Sequence, residues 1–238
     1  MALPNINDVP YYSITIPSTG EETRYRPYLV KEEKILLIAL ESGDVKQIAA
    51  ATTDLIKSCV ETDINLDTLT MFDVEYLFIN IRSKAVGESI SVNFMCSKCD
   101  AENEVTVKLD EIVVPISKEV DRTIQLTEKV SVEMKHLSYT DSTNNHKISS
   151  PETYAEYMFE NVLRSLDKIL TEEEHFVVQD ESDESVIEFI NSLTTDQFSK
   201  LREFVENAPQ VSKDIKFTCT GCDTYNNYTL KGLNDFFG

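Results

Sequence analysis

Basic side chains are scarce in this chain of 238 residues: 22 Lys and Arg stand against 42 Asp and Glu, a formal net charge of -20. Such a surface repels phosphate backbones and anionic bilayers, so nucleic acid and membrane are not expected partners, whereas basic protein surfaces are. Glycine is also rare, six in all, and the patterns G-x-S-x-G, H-E-x-x-H and G-x-x-x-x-G-K-[ST] do not occur. That removes the nucleophile elbow, the helical zinc-protease site and the phosphate loop. Long apolar runs are missing. The longest, residues 35–40, is far too short to cross a bilayer, and residues 1–12 carry no basic segment followed by an apolar one, so no signal peptide is expected. Hydrophobic residues still make up 41% of the chain, enough for a buried core. The cysteines number five, an odd count with four in metal-binding spacing, which fits a reducing compartment rather than a disulfide framework.

What is present is a motif written twice. Phe94-x-Cys96-x-x-Cys99-Asp100-x-x-Asn103 recurs 123 residues later as Phe217-x-Cys219-x-x-Cys222-Asp223-x-x-Asn226. Alternating apolar residues flank each copy: Ile90, Val92 and Phe94 before the first, Val105, Val107 and Leu109 after it. Ile215 and Phe217 precede the second, and Tyr228 and Leu230 follow. Each copy is a strand, a tight turn bearing two thiols, and a second strand. One C-x-x-C knuckle supplies half of a tetrahedral site, so two knuckles complete it. The expectation is one structural zinc held by Cys96, Cys99, Cys219 and Cys222; the plain alternative is two independent pairs of reduced surface thiols. A redox dithiol fits less well, because the segment after Cys99 alternates as a strand and carries Asp100 and Glu102, where a lowered thiol pKa calls for a helix N-terminus.

Periodicity organises the rest as α+β, amphipathic helices with antiparallel hairpins. Strands are expected at 12–15 and 23–30, and a helix from Lys31 with Leu36, Leu37 and Leu40 on one face. A second helix carries Val45, Ile48, Ala49, Thr52, Leu55, Ile56, Cys59 and Val60 on its apolar stripe, which makes Cys59 a core residue. A third spans 71–82 and turns Val74, Leu77, Phe78 and Ile81 inward. Beyond the first knuckle, strands are expected at 112–116, 122–126 and 130–136, with His136 on a buried face and hydrogen-bonded. Residues 139–150 have loop composition and include His146. Pro151 suits the first turn of a helix presenting Ala155, Met158, Phe159, Val162, Leu163 and Leu166. The acidic runs 172–174 and 180–184, with His175 beside the first, read as solvated faces around a short strand at 176–178, because the calcium-loop pattern is absent. A helix at 186–193 and one opened by the capping box Thr194-x-x-Gln197 complete the set, the latter burying Phe198, Leu201, Phe204 and Val205. Leu233, Phe236 and Phe237 give the C-terminal tail an apolar character suited to docking.

The helix at 71–82 with its knuckle parallels the helix at 196–207 with the second, which suggests a duplicated unit. No linker composition divides the chain. It is therefore expected to be one composite unit, 1–238, with sub-parts 1–110 and 111–238 each ending in a knuckle. Four thiolates would leave a zinc no open position, so the metal is structural and the residues describe a non-enzymatic, metal-stapled interaction protein.

Several stretches are similar to one family. Residues 25–42 (YRPYLVKEEKILLIALES) and 72–87 (FDVEYLFINIRSKAVG) resemble the baseplate hub proteins of T-even-type contractile-tailed bacteriophages. The ending is similar too: Leu193-Thr194 with Gln197-Phe198, Phe204 through Pro209, the knuckle, and Leu230-x-Gly232-Leu233-Asn234-Asp235-Phe236-Phe237. The resemblance implies a structural or tail-assembly protein, a hub subunit or a hub assembly factor. It would contact other hub and tail proteins in the virion tail baseplate or in the host cytoplasm during assembly. It carries over no catalytic residue, and it does not supply the metal assignment. The alternatives are a zinc-ribbon adaptor in a nucleic-acid or transcription complex, against which the charge argues, and a dithiol oxidoreductase.

Overall fold

The computed structural model describes residues 9–61, 64–65, 68–114, 122–144 and 153–232. It resolves into two compact units: Met1–Ile116 with Pro209–Gly238, and Ser117–Ala208 between them in sequence. Along the first unit run β1 (Tyr12–Thr15), β2 (Glu22–Tyr25), α1 (Val30–Ser42), α2 (Val45–Cys59), α3 (Met71–Val86), β3 (Ser89–Met95) and β4 (Glu102–Lys108). The second unit holds β5 (Thr123–Gln125), β6 (Val130–Met134), α4 (Tyr139–Asn144), α5 (Tyr154–Ser165), β7 (Leu166–Thr171), β8 (His175–Val177), α6 (Asp183–Asn191) and α7 (Thr195–Glu206). The chain then returns to the first unit as β9 (Ser212–Thr218) and β10 (Tyr225–Lys231). The α+β class expected from periodicity is what the chain adopts.

In the first unit α3 is the central element. Phe72, Val74, Leu77, Phe78, Ile79 and Ile81 are all buried, so the helix is covered on more than one face. Its Thr70 cap forms a capping box with Asp73, whose carboxylate also accepts the Ser18 N–H at 2.8 Å and so fixes the β1–β2 turn. β1 and β2 pair antiparallel, and α1 packs on α2 and α2 on α3. Gly43 takes a left-handed φ of 65° to end α1, and Asp44 caps α2 at once by accepting from the Lys46 and Gln47 N–H groups. Cys59 is buried at the end of α2, as expected. In α1 the inward residues are Glu32, Leu36 and Ala39, while Leu37 and Leu40 are about half exposed. Glu32 and Ala39 lie about 40–60° to one side of Leu36, whereas Leu40 and Leu37 lie about 40° and 100° to the other, so the buried stripe passes beside them.

Buried Glu32 is held from two directions. Arg26 Nη2 donates to its Oε1 at 2.9 Å and the Leu29 N–H to its Oε2 at 2.8 Å; the same guanidinium donates to the Pro27 and Ser58 carbonyls. Burial works to raise this carboxyl, but the Arg26 and Leu29 donors outweigh it and hold it below its ordinary value.

The second unit is a four-stranded antiparallel sheet, order β5-β6-β7-β8, with α5, α6 and α7 closing a core around Val132, Met134, Val162, Leu163, Leu166, Ile190 and Leu201. The expected helix ends earlier than Leu166, which instead begins β7. Met134 pairs with Leu166 and Glu133 with Lys168, so Asp167 bulges from the ladder and breaks the alternation that marks a strand. Of the strand expected at 112–116, the described residues 112–114 form one bridge, Val113 to Ser212, and 115–116 lie outside the described residues. A 3-10 turn at Leu109–Glu111 runs straight into the bridge. Residues 139–144, expected as loop, form α4, with Ser138 Oγ accepting the Asp141 N–H. The cap of α5 is Thr153, in a box with Glu156, and the first turn of the helix starts at Tyr154. Pro151, His146 and the tail residues Leu233, Phe236 and Phe237 lie outside the described residues. The capping box at Thr194 and Gln197 is present, with Leu201 fully buried on α7.

Because its folded carboxyl lies below the unfolded value of 4.5, Glu32 stabilises the fold at neutral pH and loses that contribution as the pH falls below about 4.5. Urea unfolding of wild type and Glu32→Gln should therefore differ at pH 7 and converge near pH 3. A difference independent of pH would contradict the ion pair's role.

Candidate metal centre

Each knuckle is the continuation of a regular hairpin. β3 and β4 pair from Ser89 with Lys108 to Met95 with Glu102, which puts Phe94 opposite Asn103. β9 and β10 repeat the arrangement, with Phe217 opposite Asn226. In the first turn the Cys96 N–H donates to the Ala101 carbonyl at 2.9 Å and the Asp100 N–H to the Cys96 carbonyl at 3.0 Å; the matching bonds around Cys219 measure 2.8 and 3.0 Å. Asp100 and Asp223 have φ of 54° and 56°, a left-handed backbone that a short polar side chain tolerates. This is the local reason an aspartate follows the second cysteine in both copies.

Apolar packing brings the hairpins together. Phe94, Phe217 and Tyr228 form a ring cluster with centroids 5.3 to 6.0 Å apart, and the Tyr228 hydroxyl donates to the Met95 carbonyl. Behind it lie Ile79 from α3, Val107, Leu109, Val211, Ile215 and Leu230. The four sulfurs of Cys96, Cys99, Cys219 and Cys222 then gather within 4.8 Å of one another. Across the knuckles the sulfurs lie 3.7 Å apart from Cys96 to Cys222 and 3.6 Å from Cys99 to Cys219. None is in a disulfide. A tetrahedron with metal–sulfur bonds of about 2.3 Å has edges of about 3.8 Å, so the donor set fits a soft tetrahedral cation. The four thiols named from spacing are thus the four the fold brings together. Among the described residues no other group of His, Cys, Asp or Glu converges in this way.

The two cysteines that open the knuckles differ from the two that close them. Cys96 and Cys219 are fully buried, Cys99 is exposed and Cys222 is intermediate. The Lys98 N–H points at Cys96 Sγ (3.5 Å) and the Gly221 N–H at Cys219 Sγ (3.3 Å). These backbone donors favour the thiolate, drawing Cys96 down to about 6 and Cys219 below its ordinary value. At Cys99 the Ala101 N–H acts in the same direction, but hydrogen bonding with Cys222 and Cys219 prevails and raises it to about 12.

Asparagine completes the centre, a role that spacing alone did not assign. Asn103 and Asn226 are buried and each reaches the opposite knuckle. The only signal in the sequence was their recurrence at the same place in both copies of the motif. Cys59 takes no part: burial raises its thiol to about 11, which fits a packed core residue. His136 is half-buried and stacks on Phe204 within the second unit at 4.9 Å. The acidic residues 172–174 and 180–184 are exposed, and no carboxylate cluster among the described residues is drawn together as a cation site.

The fold and site define an α+β chain whose two distant knuckles close on one four-cysteine cluster able to hold a metal ion. Over residues 9–238 the chain matches the family described as T4 bacteriophage base plate protein, and it belongs to that family. Comparison with curated proteins and with solved structures returned no match. Membership gives it a structural role in the virion tail baseplate, in contact with other tail and baseplate proteins. Among the described residues no helix is long and apolar enough to cross a membrane.

If the four sulfurs share one ion, Cys99→Ser should lower stability by several kcal/mol, about 10 °C or more in Tm at roughly 2–4 °C per kcal/mol. Cys59→Ala should cost only about 1–2 kcal/mol as a small core truncation. Equal melting of Cys99→Ser and wild type would refute a structural role for the cluster.

Proposed function

We propose that this protein is a non-enzymatic component of the tail baseplate hub, built into it or guiding its assembly, with a structural zinc on Cys96, Cys99, Cys219 and Cys222. The family supports a baseplate role, and the resemblance of residues 25–42 and 72–87 to hub proteins favours the hub within it. Zinc is the reading favoured by the donor set, because four thiolates in a tetrahedron suit a borderline-soft ion without redox chemistry and leave no site for water or substrate. The 238 residues are taken to act as one composite unit, with the host cytoplasm as the site of assembly.

The observation that carries a contact function is the outer surface of α1. Val30, Ile35, Leu37, Ile38 and Leu40 are between 51% and 78% exposed on a helix of thirteen residues. A cluster of large exposed aliphatics, here drawn mainly from the run at 35–40, marks a protein–protein surface. The occupant supported by the family is another baseplate protein.

The double variant Ile35→Asp, Ile38→Asp should fold and keep the metal content of wild type, yet fail to enter baseplates purified from infected cells. Incorporation at the wild-type level would remove α1 as the contact surface. Wild type found in finished baseplates identifies a hub subunit, and wild type found only in hub intermediates an assembly factor. Absence from both would sink the hub reading.

A further inference from the structure

Asn103 and Asn226 make one set of contacts twice, related by the exchange of the two knuckles. Asn226 Oδ1 accepts the Ser97 N–H at 3.0 Å and the Ser97 hydroxyl at 2.9 Å. Asn103 Oδ1 accepts the Thr220 N–H at 2.9 Å and the Thr220 hydroxyl at 3.2 Å. Each side-chain NH2 faces two acceptors. That of Asn226 donates to the Thr224 carbonyl at 2.9 Å and approaches Cys96 Sγ at 3.6 Å. That of Asn103 donates to the Ala101 carbonyl at 2.8 Å and approaches Cys219 Sγ at 3.7 Å. The orientation of both amides is fixed by this pattern. A backbone N–H can only donate, so the atom before Ser97 or Thr220 must be the oxygen, and the NH2 is left for the carbonyl and the sulfur.

Asn103 and Asn226 are 4% and 2% exposed, whereas Ser97 and Thr220 are exposed, so it is the two amide groups that are out of water, where an amide without partners is expensive. Each asparagine belongs to one hairpin and satisfies the turn of the other. Neither knuckle can be complete alone. A tetrathiolate holding a divalent cation is a dianion, and here it would be set in a protein that is already strongly acidic. Neutral N–H donors aimed at the buried sulfurs relieve that charge without adding a competing ligand. Outer groups of this kind orient ligands and tune affinity at metal sites generally.

We propose that Asn103 and Asn226 are the positioning residues of the metal centre: their oxygens lock the two knuckles at the spacing of one tetrathiolate site, and their NH2 groups hold the charge of the buried sulfurs Cys96 and Cys219. The inference rests on the metal reading and goes beyond it, because it assigns the pairing of the knuckles to residues that are not ligands. It also assigns the site to thiophilic tetrahedral cations such as zinc, cadmium and cobalt rather than to hard cations that need oxygen donors.

The full-length chain loaded with cadmium-113 provides the direct test. The side-chain amide protons of Asn103 and Asn226 should show scalar coupling to the metal through sulfur. Uncoupled amide protons in a loaded protein would overturn the proposal while leaving the metal reading intact; a chain that takes up no cadmium, zinc or cobalt would remove both. Asn103→Asp and Asn226→Asp keep the oxygen acceptor and replace the donor with an anion. Each should weaken zinc binding against a competing chelator about 10- to 100-fold and shift the sulfur-to-cobalt charge-transfer bands of the cobalt-loaded protein. Unaltered affinity and spectra in both variants would contradict the assignment. Should either variant fail to fold, the coupling in wild type still decides it.

Discussion

Everything in the first unit depends on the meeting of two turns that lie 123 residues apart in sequence. A two-stranded hairpin is marginal by itself, and here two of them share one small core of Phe94, Phe217 and Tyr228 at the base of their turns. Bringing the turns together closes a long loop, whose entropy rises only slowly with length, so the insertion of a second unit between the knuckles adds little to the penalty. What opposes closure is the convergence of four sulfurs, and a cation bound there would offset it. Binding of a structural zinc to thiolate sites is worth on the order of 10 kcal/mol, comparable with the whole net stability of a domain.

The knuckles were legible because they are local. Two cysteines at fixed spacing, an aspartate in the left-handed position and flanking alternation describe each turn without reference to the rest of the fold. The pairing of one knuckle with the other was legible only through coordination number. The long helices α2 and α3 could likewise be read from a period of 3.6, and Thr194 with Gln197 announced the start of α7. The helix-and-knuckle repeat holds for the hairpins, whereas α3 and α7 fall in different units.

What escaped the sequence did so for tertiary reasons. β7 carries a bulge at Asp167, so its side chains do not alternate and the strand follows α5 without a loop. In α1 the run of aliphatics has no polar side to reveal which stripe faces inward, and the core selects Leu36 and Ala39. The asparagines of the centre were visible as repeated letters, but their chemistry lies in contacts across 116 to 130 residues, which spacing within one motif cannot express.

A division of labour follows between the clasp and the surface. With one ion on four thiolates the cluster would offer no coordination position for reaction and would contribute rigidity, while α1 presents the apolar area that a baseplate neighbour would cover. The central claim, one ion shared by both knuckles of one chain, is tested most directly by metal content per chain in wild type and in Cys219→Ser. The account predicts one equivalent of zinc in wild type and its loss in the variant. Two equivalents, a half equivalent, or retention of the metal after removal of Cys219 would contradict it.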